Sequence, residues 1–244
     1  MSEFKFPTEN VKLPSQGHFY SEEHPLSKGE VEMKYMTAKE EDILTNSNYI
    51  QKGVVLDKLL ESLIISPTFD LDDMLLGDKN SLLVASRILG YGKDYKFKLA
   101  GVEETVDLTT LKNTEIDLSL TPKGTNEFDY TLPNSGTKIT YKILTGKDEK
   151  TIQEELEGYK KINKDASPEI STRLRTMIIS VEGDKTPQTI NDFVSNYLLA
   201  MDSREFRKHY QSRIPDVDLS FRSQDGEQRN IPINLSFFWP DSTI

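Results

Sequence analysis

Three histidines, no cysteine and 40 acidic residues are the raw material for chemistry in this 244-residue chain. His18 and His24 share a segment with Glu22 and Glu23. That set could hold a metal ion weakly, but it lacks the further ligands of a closed site, and exposed loop histidines are the simpler reading. His209 lies in "SREFRKHYQSR" (203–213) with no nucleophile beside it. Ser203 has neither a G-x-S-x-G setting nor an evident base, so it belongs to the first turn of a helix. The lack of cysteine removes disulfides, thiolate metal sites and thiol nucleophiles together.

Two stretches imitate phosphate loops and fail. "TGKDEK" (145–150) needs a glycine where Tyr141 stands, and "GYGKD" (90–94) needs one at Arg87. Neither is read as the strand-to-helix loop in which backbone amides cradle phosphate. "DLDDMLLGD" (70–78) opens like a calcium loop with Asp70 and Asp72, but Met74 takes the third ligand position and Leu75 replaces the turn glycine. Carboxylates are too many for any one pair to be nominated for acid–base work. The sequence therefore offers no catalytic, cofactor-binding or metal-binding residue, and an enzyme is the minority hypothesis.

A net charge of −10 argues against a nucleic-acid partner, because neutralising phosphates requires clustered Lys and Arg. The one basic cluster holds Arg204, Arg207, Lys208 and Arg213. It reads as the solvated face of an amphipathic helix, with Arg204, Arg207 and Lys208 as candidate partner contacts. No apolar run is long enough for a transmembrane helix. "MSEFKFPTEN" has no apolar core of a secretory signal, so synthesis in a cytoplasm is expected.

The elements that carry these residues read alike in the two halves. Alternation over Glu30–Met36 puts Val31, Met33 and Tyr35 on one face of a strand, and Thr37 with Glu40 forms a capping box. Val55, Leu56, Leu59, Leu60, Leu63 and Ile64 fall at helical spacing, and Ser66-Pro67 ends that helix. Asp78 can cap a helix through "SLLVASRIL" that stops at Gly90. "YKFKL" and "TVDL" then form a hairpin. In the second half "ITYKIL", Thr145 with Asp148, "TRLRTMIIS", Asp202 with Glu205, and "VDLSFR" with "NIPINLSF" follow in the same order. A tight turn at Asp225-Gly226 joins the last two.

"LPSQG" (13–17) and "LPNSG" (132–136) open the two series. The spacing between copies drifts from 119 at Leu13/Leu132 to 108 at Thr37/Thr145, 114 at Ile64/Ile178 and 124 at Asp78/Asp202, as duplication followed by insertions would leave it. The expected fold is α+β, with two pseudo-repeated lobes, each made of strand, helices and β-hairpin. Residues 1–111 form one lobe, 112–127 a linker and 128–244 the other. Phe237, Phe238 and Trp239 in "LSFFWP" are open to two readings, a core strand of the last hairpin or an aromatic anchor for a partner.

"LPSQGHFY", "YMTAKEEDILTN", "VVLDKLLESLI", "LLGDKNSLLVASRILGYGKDY", "MDSREFRKHY", "PDVDLSF" and "FFWPD", in that order, resemble the T4-like bacteriophage baseplate proteins, the baseplate hub subunits of contractile-tailed phages. The resemblance runs from about residue 11 to residue 241. It implies a non-enzymatic subunit of the virion tail, synthesised in the host cytoplasm. Its partners would be other tail and hub proteins rather than nucleic acid, membrane or a small-molecule substrate. It leaves open an assembly chaperone absent from the mature virion, and less so a tail-associated hydrolase. It also implies paired cysteines at the hairpin tips of relatives. Here "LAGVEE" (99–104) and "RSQDGEQ" (222–228) have none, so no cofactor or metal residue carries over.

Overall fold

A computed structural model describes residues 7–99, 101–162 and 168–238. The first sheet has strand order β1-β2-β3, from β1 (Thr8–Lys12), β2 (Glu30–Lys34) and β3 (Ile64–Ser66), all antiparallel neighbours. Alternation along β2 buries Val31 and Met33 completely. Tyr35, expected on that face, lies beyond the strand and is 37% exposed.

Glu40 closes the capping box. Its Oε2 accepts from the Thr37 N–H at 2.9 Å and from the Thr37 hydroxyl at 2.7 Å, which starts α1 (Ala38–Leu44). Next come α2 (Ser47–Gln51) and α3 (Val55–Leu63), whose Val55, Leu59, Leu60 and Leu63 are buried. Each such side chain contributes roughly 1.5–3 kcal/mol relative to exposure. The helix expected to include Ile64 stops at Leu63, because the next three residues leave it to pair with β2.

The sequence places Asp78 at the cap of the following helix. Instead α4 (Leu76–Tyr91) begins three residues earlier, with Leu75 at the cap, so Asp78 lies inside its first turn. The helix also passes Gly90 and ends at Gly92, whose φ of 83° reverses the chain. A hairpin of β4 (Asp94–Leu99) and β5 (Val102–Asp107) completes the series.

The second half has a sheet of order β6-β7-β8, from β6 (Phe128–Thr131), β7 (Lys138–Tyr141) and β8 (Ile178–Val181). Between β7 and β8 run α5 (Gly146–Ile162) and α6 (Glu169–Met177). After β8 come α7 (Pro187–Asp192), a π turn over Phe193–Tyr197, and α8 (Ala200–Gln211). The hairpin of β9 (Ser220–Arg222) and β10 (Gln228–Asn230) is last.

The two sheets agree in detail. β2 slips register between Glu32 and Met33, with Ser66 opposite Glu32 and Ile64 opposite Met33. β7 slips between Thr140 and Tyr141, with Ser180 opposite Thr140 and Ile178 opposite Tyr141.

Two apolar clusters form the core, one centred on each half, except that Ile143 and the end of the chain join the first. The second cluster gathers Leu132, Ile139, Tyr141, Ile152, Leu174, Ile178, Phe206 and Tyr210. Ile231, Phe237 and Phe238 belong to the first cluster, beside Tyr95. The terminal segment, expected in the second lobe, therefore crosses back to finish the core of the first half. It does so as a short 3-10 turn over Leu235–Phe238, not as the strand expected from "NIPINLSF".

Candidate functional site

The most organised polar groups hold turns. Asp78 Oδ1 accepts from the Ser15 N–H at 2.9 Å, and Oδ2 accepts from the Ser15 hydroxyl at 2.6 Å and the Tyr20 hydroxyl at 2.7 Å. Tyr20 in turn accepts from the Leu75 N–H at 2.9 Å. The "LPSQG" turn is thereby fastened to the first turn of α4. Asp202 does the same for "LPNSG": Oδ1 accepts from the N–H and side-chain amide of Asn134 at 2.8 and 2.9 Å, and Oδ2 from the Ser135 N–H at 3.0 Å.

The two carboxyls nevertheless shift in opposite directions. Burial pushes Asp78 up to about 6, against the pull of Ser15 and Tyr20, and nearby Asp216 adds to the rise. Burial also opposes the charge on Asp202, but the donors of Asn134 and Ser135 outweigh it and hold the carboxyl below its ordinary value. Glu40 behaves like Asp202. Burial resists its charge, yet Lys34, Thr37 and Ser62 donate to it and draw it down to about 2.

The residues singled out in the sequence do not converge. His18 Nε2 donates to the Thr121 carbonyl at 2.8 Å, while His24 Nδ1 accepts from the Leu26 N–H at 3.2 Å and stacks on Tyr20. Both are partly buried rather than fully exposed. An open cleft of about 380 Å³ beside His24, Glu22 and Glu23 also takes in Lys28. No group of three or more His, Asp or Glu positioned for a metal ion occurs among the described residues. His209 is turned inward, stacked on Tyr130 and 2.9 Å from the Tyr141 hydroxyl, and burial lowers its pKa.

"TGKDEK" does stand between a strand and a helix, contrary to its reading in the sequence. Its polar groups are used otherwise: Asp148 accepts from the Thr145 N–H and hydroxyl at 3.0 Å each, and the Gly146 N–H donates to the Met74 carbonyl. Ser203 lies in the first turn of α8, where its carbonyl accepts from Arg207 Nε.

Of the partner-contact candidates, Arg204, Arg207 and Lys208 are exposed on α8. Phe237 and Phe238 are not available: both are 0% exposed, and the Phe237 carbonyl accepts from Arg87 Nε at 3.0 Å. As partner anchors they are withdrawn, because the first core needs them. Trp239 lies outside the described residues.

Sequence patterns did not disclose the contact between the lobes. Leu75 and Thr145 form an antiparallel bridge, with the Leu76 N–H donating to Leu144 O at 3.1 Å and the Gly146 N–H to Met74 O at 2.9 Å. Lys150 of α5 reaches Asp72 at 2.5 Å and Asp57 at 3.5 Å, and Lys79 of α4 joins Asp57 at 2.5 Å. The hairpins also meet. Phe97 and Phe221 lie edge to face at 5.4 Å, and the buried Glu104 carboxylate accepts from the Ser223 hydroxyl and the Gln224 N–H. Phe97 and Phe221 stand 124 residues apart, as Asp78 and Asp202 do, but that spacing does not by itself announce a contact.

Compared with protein-family models, curated proteins and solved structures, the chain matches none.

Proposed function

We propose that this chain is a structural subunit of the baseplate hub of a contractile-tailed phage, acting through protein–protein contacts and without catalysis. The observation that carries this reading is the ordered run of sequence stretches resembling T4-like baseplate proteins, from "LPSQGHFY" to "FFWPD". The way polar groups are used supports it. Glu40, Asp78, Glu104 and Asp202 are buried, and each is engaged in fastening a turn, a cap or a hairpin. A hydrolytic site would instead turn such groups toward a pocket with room for a substrate.

In this reading the two lobes are copies of one unit. Support comes from the shared sheet order, the shared register slip and the shared Asp-to-turn anchor. The partners are other tail and hub proteins, and the exposed basic face of α8, with Arg204, Arg207 and Lys208, is the surface offered to them. Mass spectrometry of purified virions tests the proposal. Peptides of this chain in stoichiometric yield are expected; their absence from virions whose assembly requires the gene would make it a transient assembly factor instead.

A further inference from the structure

We propose that a second copy of this chain docks through a repeat of the contact that joins the two lobes. Residues 198–200 of one molecule would pair with residues 36–38 of the next. The inference rests on reading the lobes as copies, and on nothing about where the protein works.

Inside the chain, the segment leading into α4 pairs with the junction between β7 and α5 through the Leu75–Thr145 bridge. Each side has a counterpart. Leu199 precedes α8 as Leu75 precedes α4, with backbone angles of −60° and 140° against −60° and 142°, and the anchoring Asp202 and Asp78 follow at the same distance. Thr37 with Glu40 and Thr145 with Asp148 form the same box.

The counterparts differ in cover. Leu75 is 2% exposed and Leu199 49%, while Ile143 is 1% exposed and Tyr35 37%. Gly77 lies so close beneath Pro215 that a Cβ would fall 1.8 Å from its carbonyl oxygen, yet Met201, in the corresponding place, is 66% exposed. Tyr197, also 66% exposed, adjoins it. The N–H groups of Ala200 and Ala38 and the carbonyls of Leu198 and Met36 make no backbone hydrogen bond among the described residues, whereas the corresponding groups at 74–76 and 144–146 are paired. The second lobe thus carries an uncovered donor–acceptor edge at 198–200, and the first its uncovered complement at 36–38.

Two details change: Ala38 stands where Gly146 does, and Met201 where Gly77 does. A Cβ on Gly146 would lie 3.1 Å from Leu71 O, so the intermolecular contact opens by a few tenths of an ångström there, and beside Met201 the facing backbone stands further off than Pro215 does from Gly77. Because the contact is head to tail, it closes as a ring or grows as a filament.

The test is sedimentation velocity on the full chain over a concentration series, with two surface variants. The wild type is expected to form oligomers that grow with concentration. Met201→Glu blocks one face and Ala38→Arg the other, so each alone is expected to be monomeric with an unchanged melting curve. Their equimolar mixture should give dimers and nothing larger, since each variant keeps the face the other lacks. A monomeric wild type, oligomers that survive either substitution, or a mixture that stays monomeric would overturn the inference. The copy reading has a separate check. Exchanging the second turn for the first, by Asn134→Ser with Ser135→Gln, should leave the melting temperature nearly unchanged. Loss of the folded second lobe would sink that reading whatever the assembly state.

Discussion

Replacing Asp78 with asparagine should change how stability depends on pH. The carboxyl is pushed up to about 6 by burial, while in the unfolded chain it returns to its ordinary value of 3.8. The folded state therefore binds this proton more tightly than the unfolded state, which is the reverse of the usual acid in a salt bridge. Stability from this group is present at low pH and is lost as pH rises through about 4 to 6. The difference corresponds to on the order of 3 kcal/mol between about pH 4 and about pH 7. The asparagine side chain would keep an acceptor for the Ser15 N–H and its NH₂ would donate to the Ser15 and Tyr20 hydroxyl oxygens, while the two hydroxyl protons lose their acceptor, a cost that is the same at every pH. Urea unfolding of wild type and Asp78→Asn across that pH range is the assay. The variant should lose ground to the wild type at the acid end and recover it near neutrality. A pH-independent difference between the two, or one that grows toward neutral pH, would refute the argument that burial dominates at Asp78.

Three further outcomes follow from the same structure. Glu40, held near 2, should contribute stability that is full above its unfolded value of 4.5 and fades as pH falls toward 2; Glu40→Gln should flatten that acid limb in the same urea series. Phe238→Ala should cost about 3–5 kcal/mol, since the ring is 0% exposed in the first core, and thermal melting would show a loss below about 1 kcal/mol if the segment were merely lying on the surface. Reversing Arg204, Arg207 and Lys208 together to Glu should leave the melting temperature within a few degrees while abolishing capture of hub proteins in a pull-down; retained capture would remove α8 as the contact face.

The parts of the fold that were legible in the sequence are those decided by neighbours along the chain. Val31 and Met33 alternate because β2 has one buried face, and Thr37 with Glu40 form a box because three residues separate them on a first helical turn. Ile64–Ser66 misled the periodicity because a short apolar run serves a helix or a strand equally well, and pairing with β2 decided it. The same limit applies to Phe237 and Phe238. Their burial depends on Tyr95 and Arg87, far away in sequence, and no local pattern announces that. Asp78 reads as a cap from its position before the apolar run. Its role as the anchor of a turn depends on Ser15, 63 residues away, and both halves of that pair were visible only as members of a repeat.

The proposed role as a two-lobed building block of a contractile tail is tested most directly by a cryo-EM map of the tail tip of a contractile-tailed phage whose genome carries the gene. The expected result is density at the hub that fits both lobes, with the exposed face of α8 against a neighbouring protein. A complete hub with no density for this chain would contradict it.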